Sequence, residues 1–193
     1  LHFSGISTKE GVKLIKAAKK KGLNISADVH VMNLCFNENR VTDFDTLFKT
    51  LPVLRSQSNV EALWDAVEDN SIDFVVSDHR PSIKEEKELE FEHASFGAPQ
   101  LKTLFSALNT QKKLKLEKII EILSDKPRDF INAPKPTIKK GNAADITLFD
   151  PKEDFQFLSN QKKEDVTYSP FKKEKLLGKV VGVINKNKLF LNK

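Results

Sequence analysis

The sequence lacks the residues that would place it in several classes of protein. It contains one cysteine, Cys35, which excludes an internal disulfide and favours a reducing compartment, so we expect a cytoplasmic protein. No apolar run approaches the roughly 20 residues of a membrane-spanning helix, so no membrane contact is expected. The first residues, Leu1–Ser4, lack a signal peptide's basic and apolar segments, and the absent initiating methionine suggests the later part of a longer protein.

Arginine is also scarce, although the formal net charge is +5. Only four of the 32 basic residues are arginine, and the lysines are mixed with acidic residues along the chain. We find no nucleic-acid-binding motif and no alternation of aromatic with basic residues. The composition therefore predicts a solvated lysine-rich surface and no nucleic-acid partner.

The apolar residues that are present follow an α/β pattern in the first part of the chain. The predicted order is a strand at Leu1–Ser4, a helix capped by Ser7 or Thr8 and ending at Gly22, a strand at Leu23–Val29, a functional loop at His30–Leu54, a helix capped by Ser58 or Asn59, and a strand at Ile72–Val76. Helices of this length suit crossovers between parallel strands.

The pattern changes after a charged loop at Lys84–Lys87 and two more helices. These helices are predicted near Gln100–Asn109 and from Leu116 toward Ile131, the second continuing despite Pro127. Short strands follow at Asp145–Phe149, Phe155–Leu158, Leu177–Ile184 and Leu189–Leu191. Prolines near Ala133–Lys139 mark the change, so we predict two domains, residues 1–135 and 136–193.

One carboxylate stands out because of its position. Asp78 comes just past the apolar strand Phe74–Val76, and the carboxyl ends of buried parallel strands are where α/β proteins place their chemistry. An aspartate there can bind a metal, take a proton from water, or cap the next helix.

Five segments carry the motifs of one enzyme family, in family order. They are Gly5-Ile6-Ser7-Thr8, similar to H-V-S-T; Lys49–Arg55, similar to K-x-N-P-P-L-R; Ser77–Pro81 with Glu85-Glu86-Lys87, similar to T-D-H-A-P-H and its E-K tail; Lys140–Pro151; and Ser169-Pro170-Phe171 with Gly178-Lys179-Val180. Together they resemble the amidohydrolase superfamily, and most closely its dihydroorotases. The resemblance implies an α/β fold, with the last part of a (β/α)₈ barrel from about the sixth strand, followed by part of a small β-sandwich.

The resemblance also implies an activity and roles for residues. Dihydroorotases interconvert dihydroorotate and carbamoyl-aspartate in pyrimidine biosynthesis, using water bound to zinc and an aspartate that carries the proton. Asp78 matches that aspartate, which makes it the candidate catalytic residue and a candidate metal ligand.

Three positions depart from the family pattern. Gly5 stands where the family has a metal-ligating histidine, Leu51 where an asparagine holds substrate, and Ser82 where a histidine contacts substrate. His2 should face the opposite side of its strand from Gly5, and His30 is expected to be structural.

These departures keep alternatives open. The first is an active dihydroorotase-like hydrolase that takes a small-molecule substrate. The second is a non-catalytic homologue acting as a structural partner of aspartate carbamoyltransferase, and the third is an amidohydrolase for another cyclic amide. A homo-oligomer is also expected.

Overall fold

A parallel sheet of three strands organises the first part of the molecule. The computed structural model describes residues 1–157, 168–172, 174–186 and 188–192. Strands β1 (His2–Phe3), β2 (Ser26–His30) and β3 (Phe74–Val76) lie side by side in chain order. All pairs are parallel, with Phe3 opposite Ala27 and His30 opposite Val76. The strand carboxyl ends therefore meet at one edge.

Two amphipathic helices connect these strands. Helix α1 (Lys9–Lys20) begins where the Thr8 side chain accepts a hydrogen bond from the Gly11 amide, at 3.0 Å. Helix α3 (Gln57–Glu68) packs beside α1 and buries Leu63 and Val67 completely. Its N-cap is Ser56, two residues before the predicted Ser58, because Gln57 already belongs to the first turn.

The long segment after β2 is more ordered than the predicted loop. Helix α2 (Val31–Cys35) follows β2 directly, and two 3₁₀ turns, Glu38–Val41 and Thr46–Phe48, come before α3. The Trp64 indole of α3 donates a hydrogen bond to the Leu34 carbonyl, at 2.9 Å, which fixes α2 against α3.

The segment after β3 is helical for much of its length. The predicted charged loop at Lys84–Lys87 is a one-turn helix, α4 (Lys84–Lys87), with Lys87 buried. Helix α5 (Leu104–Thr110) starts four residues later than predicted. Helix α6 (Leu116–Ile120), a π-helical turn (Glu121–Asp125) and α7 (Lys126–Phe130) form one continuous stretch across Pro127, as the sequence indicates.

The last part of the chain forms a second, antiparallel sheet. Strands β4 (Ile146–Gln156), β5 (Lys175–Asn185) and β6 (Lys188–Leu191) pair in chain order. The two predicted strands at Asp145–Phe149 and Phe155–Leu158 are one strand, β4, which stays paired with β5 through two register shifts. Leu158 lies outside the described residues.

One core connects the two sheets. Helix α5 packs on β5, where the Ser106 hydroxyl donates to the Gly178 carbonyl at 2.5 Å. Phe171 and Leu176 are buried in the same apolar cluster as Val29, Val75 and residues of α3. None of the described helices has the length and apolarity needed to span a bilayer.

Candidate functional site

The carboxyl ends of the three parallel strands bring together residues that are far apart in the sequence. Gly5 follows β1, His30 ends β2 and Asp78 follows β3. The imidazole Nδ1 of His30 lies 3.3 Å from one carboxylate oxygen of Asp78. An ideal Cβ built on Gly5 would lie 3.0 Å from Nε2 of the same imidazole. These three residues define the candidate site.

Asp78 is held firmly at this edge. Arg80 donates a hydrogen bond from Nε to the carboxylate Oδ1 at 2.8 Å, while His30 faces Oδ2. The Asp78 side chain is only 14% exposed. Its backbone is left-handed, with φ +45°, a region that aspartate enters more readily than most residues. The end of β3 therefore turns sharply so that Asp78 meets both basic side chains.

The space beside Gly5 is filled by His30. The ideal Cβ on Gly5 would also lie 3.2 Å from Cδ of Pro52, and the backbone there has φ +74°. Both features favour glycine: the conformation is one that side-chain-bearing residues rarely adopt, and the volume is already occupied. His30, expected to be only structural, thus occupies the place from which a side chain at position 5 would extend.

The buried carboxylate of Asp28 fixes the backbone at Gly5 and the side chain of Ser4. Asp28, 3% exposed, accepts a hydrogen bond from the Gly5 amide at 2.7 Å and one from the Ser4 hydroxyl at 3.1 Å. The His2 imidazole lies 2.9 Å from its other oxygen. Asp28 and His30 share a face of β2 because they are two residues apart. Two polar residues at alternate positions of a buried strand were the signal in the sequence for this arrangement.

The two positions predicted to contact substrate, Leu51 and Ser82, lie in loops near the candidate site. Leu51 is 54% exposed and precedes Pro52, the residue that packs beside Gly5. Ser82 is half-buried in the loop after Asp78. Within the described parts of the chain, no hydrogen bond joins Ser82 to Asp78.

Two buried lysines hold the loops around the site. Lys49 donates from Nζ to the carbonyls of Phe91 and Glu92, at 2.7 and 2.9 Å. Lys87 donates to the carbonyls of Thr46 and Ser95, both at 2.8 Å. Burial, and to a smaller extent the nearby Lys49 charge, lower the pKa of Lys87 to about 8. The motif lysines therefore tie the loop before α3 to the loop after α4.

The contacts of His79 and Cys35 indicate structural roles for both residues. The His79 imidazole accepts a hydrogen bond from the Gln100 amide at 3.0 Å, so it anchors the loop before α5. Burial raises the pKa of the Cys35 thiol well above its ordinary value, and Glu174 adds to this effect, so Cys35 is not an activated nucleophile.

A zinc ion does not fit the residues that this chain places at the strand ends. A zinc site needs three or four ligand atoms directed at one point. Gly5 offers no side chain and Nδ1 of His30 faces Asp78, so the described residues at the strand ends offer at most the Asp78 carboxylate and Nε2 of His30, fewer than the three ligand atoms required. Elsewhere in the described residues, the exposed side chains of Glu90, Glu92 and His93 bring ligand atoms within 4.8 Å of one another, a group that could hold a metal ion.

The comparisons with known proteins agree on one family. A family model described as the amidohydrolase family matches residues 1–181. The chain is 36% identical over 157 residues to the dihydroorotase of Thermus aquaticus, which covers 79% of this chain and 37% of that enzyme. It is 34% identical over 184 residues to the dihydroorotase of Thermoanaerobacter sp. (strain X514), covering 93% and 42% respectively. The chain thus spans about two fifths of the length of these relatives.

The solved structures show the same relationship. The L-hydantoinase (dihydropyrimidinase) from Arthrobacter aurescens superposes with a TM-score of 0.85 at 25% identity, over 98% of this chain and 44% of that one. The D-hydantoinase from Bacillus sp. AR9 gives a TM-score of 0.81 at 27% identity, covering 99% of this chain and 45% of that one. The fold described above is therefore shared with cyclic amidohydrolases.

Proposed function

The chain belongs to the amidohydrolase family, and from this membership we propose that it is part of a dihydroorotase-like cyclic amidohydrolase of pyrimidine biosynthesis. The proposed reaction opens the cyclic amide of dihydroorotate to carbamoyl-aspartate, or closes it in the reverse direction. The observation that carries the proposal is the placement of Asp78, a carboxylate that is only partly exposed and lies just past the end of β3. Carboxyl ends of parallel strands are where this architecture places catalytic groups.

The proposed architecture explains the two open sides of the parallel sheet. We infer that β1, β2 and β3 are the last three strands, about the sixth to the eighth, of a (β/α)₈ barrel. Unpaired strand edges expose backbone hydrogen-bonding groups, so β1 and β3 need neighbours on their free sides. Residues 1–135 would then be the barrel part, and residues 136–193 part of a β-sandwich.

Asp78 is the group that this chain contributes to the chemistry. In ring opening, its carboxylate accepts a proton from the water that attacks the amide carbonyl carbon. It then gives that proton to the ring nitrogen as the carbon–nitrogen bond breaks, which leaves the carboxylate ready for the next cycle. General acid–base groups of this kind contribute roughly 10²–10⁴ to the rate.

Substrate contacts are proposed to differ from the family pattern. Leu51 offers an apolar surface where an asparagine is expected, and Ser82 keeps a hydroxyl that can donate or accept one hydrogen bond. These residues are proposed to contact the ring, which makes dihydroorotate the first substrate to test and other cyclic amides the next. The same proposal places the protein in the cytoplasm as a homo-oligomer.

A second function is favoured by the residues around Gly5. A non-catalytic homologue, serving as a structural partner of aspartate carbamoyltransferase, needs no imidazole at position 5 and no metal at Asp78. The contacts of His30 with Gly5 and of Arg80 with Asp78 are compatible with that function.

A substrate assay on the full-length protein separates these functions. We would follow hydrolysis of dihydroorotate, with and without added zinc, beside hydantoin and dihydrouracil as other cyclic amides. The proposal predicts turnover of dihydroorotate above the other two. Absence of turnover on all three rings, with stable association with aspartate carbamoyltransferase in gel filtration, would overturn it in favour of the second function.

A further inference from the structure

The carboxylate of Asp78 meets a basic side chain at each of its two oxygens. Arg80 Nε donates to Oδ1 at 2.8 Å, and His30 Nδ1 lies 3.3 Å from Oδ2. A carboxylate has about four lone-pair sites, so two remain free to accept a proton. The arrangement therefore fixes the orientation of the carboxylate and leaves lone pairs that can still accept a proton.

The position of His30 is set by its neighbours on β3 and at Gly5. It ends β2, where its register partner is Val76, two residues before Asp78. It is 7% exposed and lies against the Cα side of Gly5, where any side chain would meet its Nε2. The Gly5 backbone is itself held by a hydrogen bond to the Asp28 carboxylate, so it restricts the movement of the His30 imidazole that packs on it.

The position of Arg80 is set by a second glycine. An ideal Cβ on Gly97 would lie 2.6 Å from Cβ and 2.8 Å from Cδ of Arg80, so the arginine side chain packs directly on the Gly97 backbone. The Arg80 amide also donates to the Ala98 carbonyl at 3.1 Å. A half-exposed arginine would otherwise sample many rotamers, and this close packing restricts it to the one that meets Asp78.

These contacts disfavour binding of a metal ion to the Asp78 carboxylate. A divalent cation beside this carboxylate would be placed close to the Arg80 guanidinium, and like charges at that distance repel. It would also lack a ligand from Gly5 and compete with His30 for Oδ2.

We propose that His30 and Arg80 are positioning residues that hold the Asp78 carboxylate in this protein, in the place of a metal ion. The three residues are called the Asp78 clamp. The inference rests on the proposed function for its effect on turnover, because a positioned carboxylate matters only if Asp78 transfers protons. The inference also states that Asp78 does not bind a metal ion, and this statement can be tested whether or not the protein is an active dihydroorotase.

Kinetic measurements on the full-length protein test the positioning role. His30→Ala and Arg80→Ala should each lower kcat for dihydroorotate at least tenfold with KM within twofold, because small displacements of a catalytic group are costly. His30→Asn, whose amide nitrogen takes the place of Nδ1, should restore most of kcat. Arg40→Ala is the matched control, because Arg40 is similarly exposed and pairs with Glu174 at 2.6 Å. Unchanged kcat in both alanine variants would overturn the role.

Metal analysis tests, without any measurement of activity, the statement that Asp78 is not a metal ligand. After dialysis against zinc and removal of excess, Asp78→Asn should hold as much zinc per chain as the wild-type protein. Loss of a zinc ion in Asp78→Asn would show that the carboxylate is a ligand and would overturn the proposal. Failure of the wild-type protein to hydrolyse dihydroorotate would instead overturn the proposed function, and the zinc result would still decide whether the clamp excludes metal.

Discussion

Replacing Gly5 with alanine should destabilise the protein more than the same change at another left-handed glycine. Gly22 is the matched control, because both glycines have φ +74° and only Gly5 has neighbours within 4 Å of its ideal Cβ. The left-handed conformation costs a side-chain-bearing residue about 1–2 kcal/mol, and this cost is common to both variants. Alanine also restricts the unfolded chain equally in both, so that effect cancels in the comparison.

The extra cost at Gly5 comes from packing. The added methyl group would meet His30 Nε2 at 3.0 Å and Pro52 Cδ at 3.2 Å. His30 cannot move away easily, because Asp78 lies on its other side and the imidazole is buried. Overpacking of this kind costs about 1–3 kcal/mol. We therefore expect Gly5→Ala to lose about 2–5 kcal/mol and Gly22→Ala about 1–2 kcal/mol.

Urea denaturation of the full-length protein, followed by far-ultraviolet circular dichroism, measures both losses. A Gly5→Ala/His30→Ala double variant should cost less than the sum of the two single changes, because the methyl group then has room. Equal losses for Gly5→Ala and Gly22→Ala would refute the packing of His30 against Gly5.

Three further predictions concern the scaffold. Thr8→Ala should lower the free energy of unfolding by about 1 kcal/mol in urea denaturation, because the Gly11 amide loses its cap; no loss would contradict the cap. Trp64→Phe should cost about 1–3 kcal/mol in the same assay, because the buried Leu34 carbonyl loses its donor; a neutral change would show that this bond is unimportant. Because burial lowers the pKa of Lys87 to about 8 from 10.5, the unfolded chain binds more protons than the folded one between these values. Stability should therefore rise by at most about 1.4 kcal/mol per pH unit across that range, and a Lys87→Met variant that keeps the wild-type pH slope would contradict this.

Much of the scaffold could be predicted from local patterns. The apolar run Phe74–Val76 identifies a strand, because burial on both faces gives a short continuous apolar segment. The stripe of α1 identifies a helix, because burial on one face gives a helical periodicity. Element boundaries were less accurate. The register shifts that keep β4 continuous depend on pairing with β5, which no local pattern shows. In the helix at Lys84–Lys87, Lys87 is buried against the carbonyls of Thr46 and Ser95, which lie 41 and 8 residues away, and no local pattern shows these contacts.

The candidate site could be located from the sequence, but its contacts could not. The strand pattern places Asp78 at a strand end, and the motif resemblance marks Gly5 as a missing side chain. The role of His30 was not foreseen, because its contact with Gly5 depends on the pairing of β1 with β2 and on the position of Pro52. Arg80 reaches Asp78 only because Gly97 lets it pack on the backbone, a contact across 17 residues of chain.

The most direct test of the account is the rate of dihydroorotate hydrolysis by full-length Asp78→Asn. Asparagine also tolerates a left-handed backbone, so the fold should be kept while the proton acceptor is removed. Asp73→Asn is the control, since Asp73 precedes β3 and pairs with Lys19 at 2.7 Å, away from the strand ends that form the site. The account predicts a loss of at least roughly 10²-fold in kcat for Asp78→Asn and little change for Asp73→Asn. Equal rates for Asp78→Asn and the wild-type protein would contradict it.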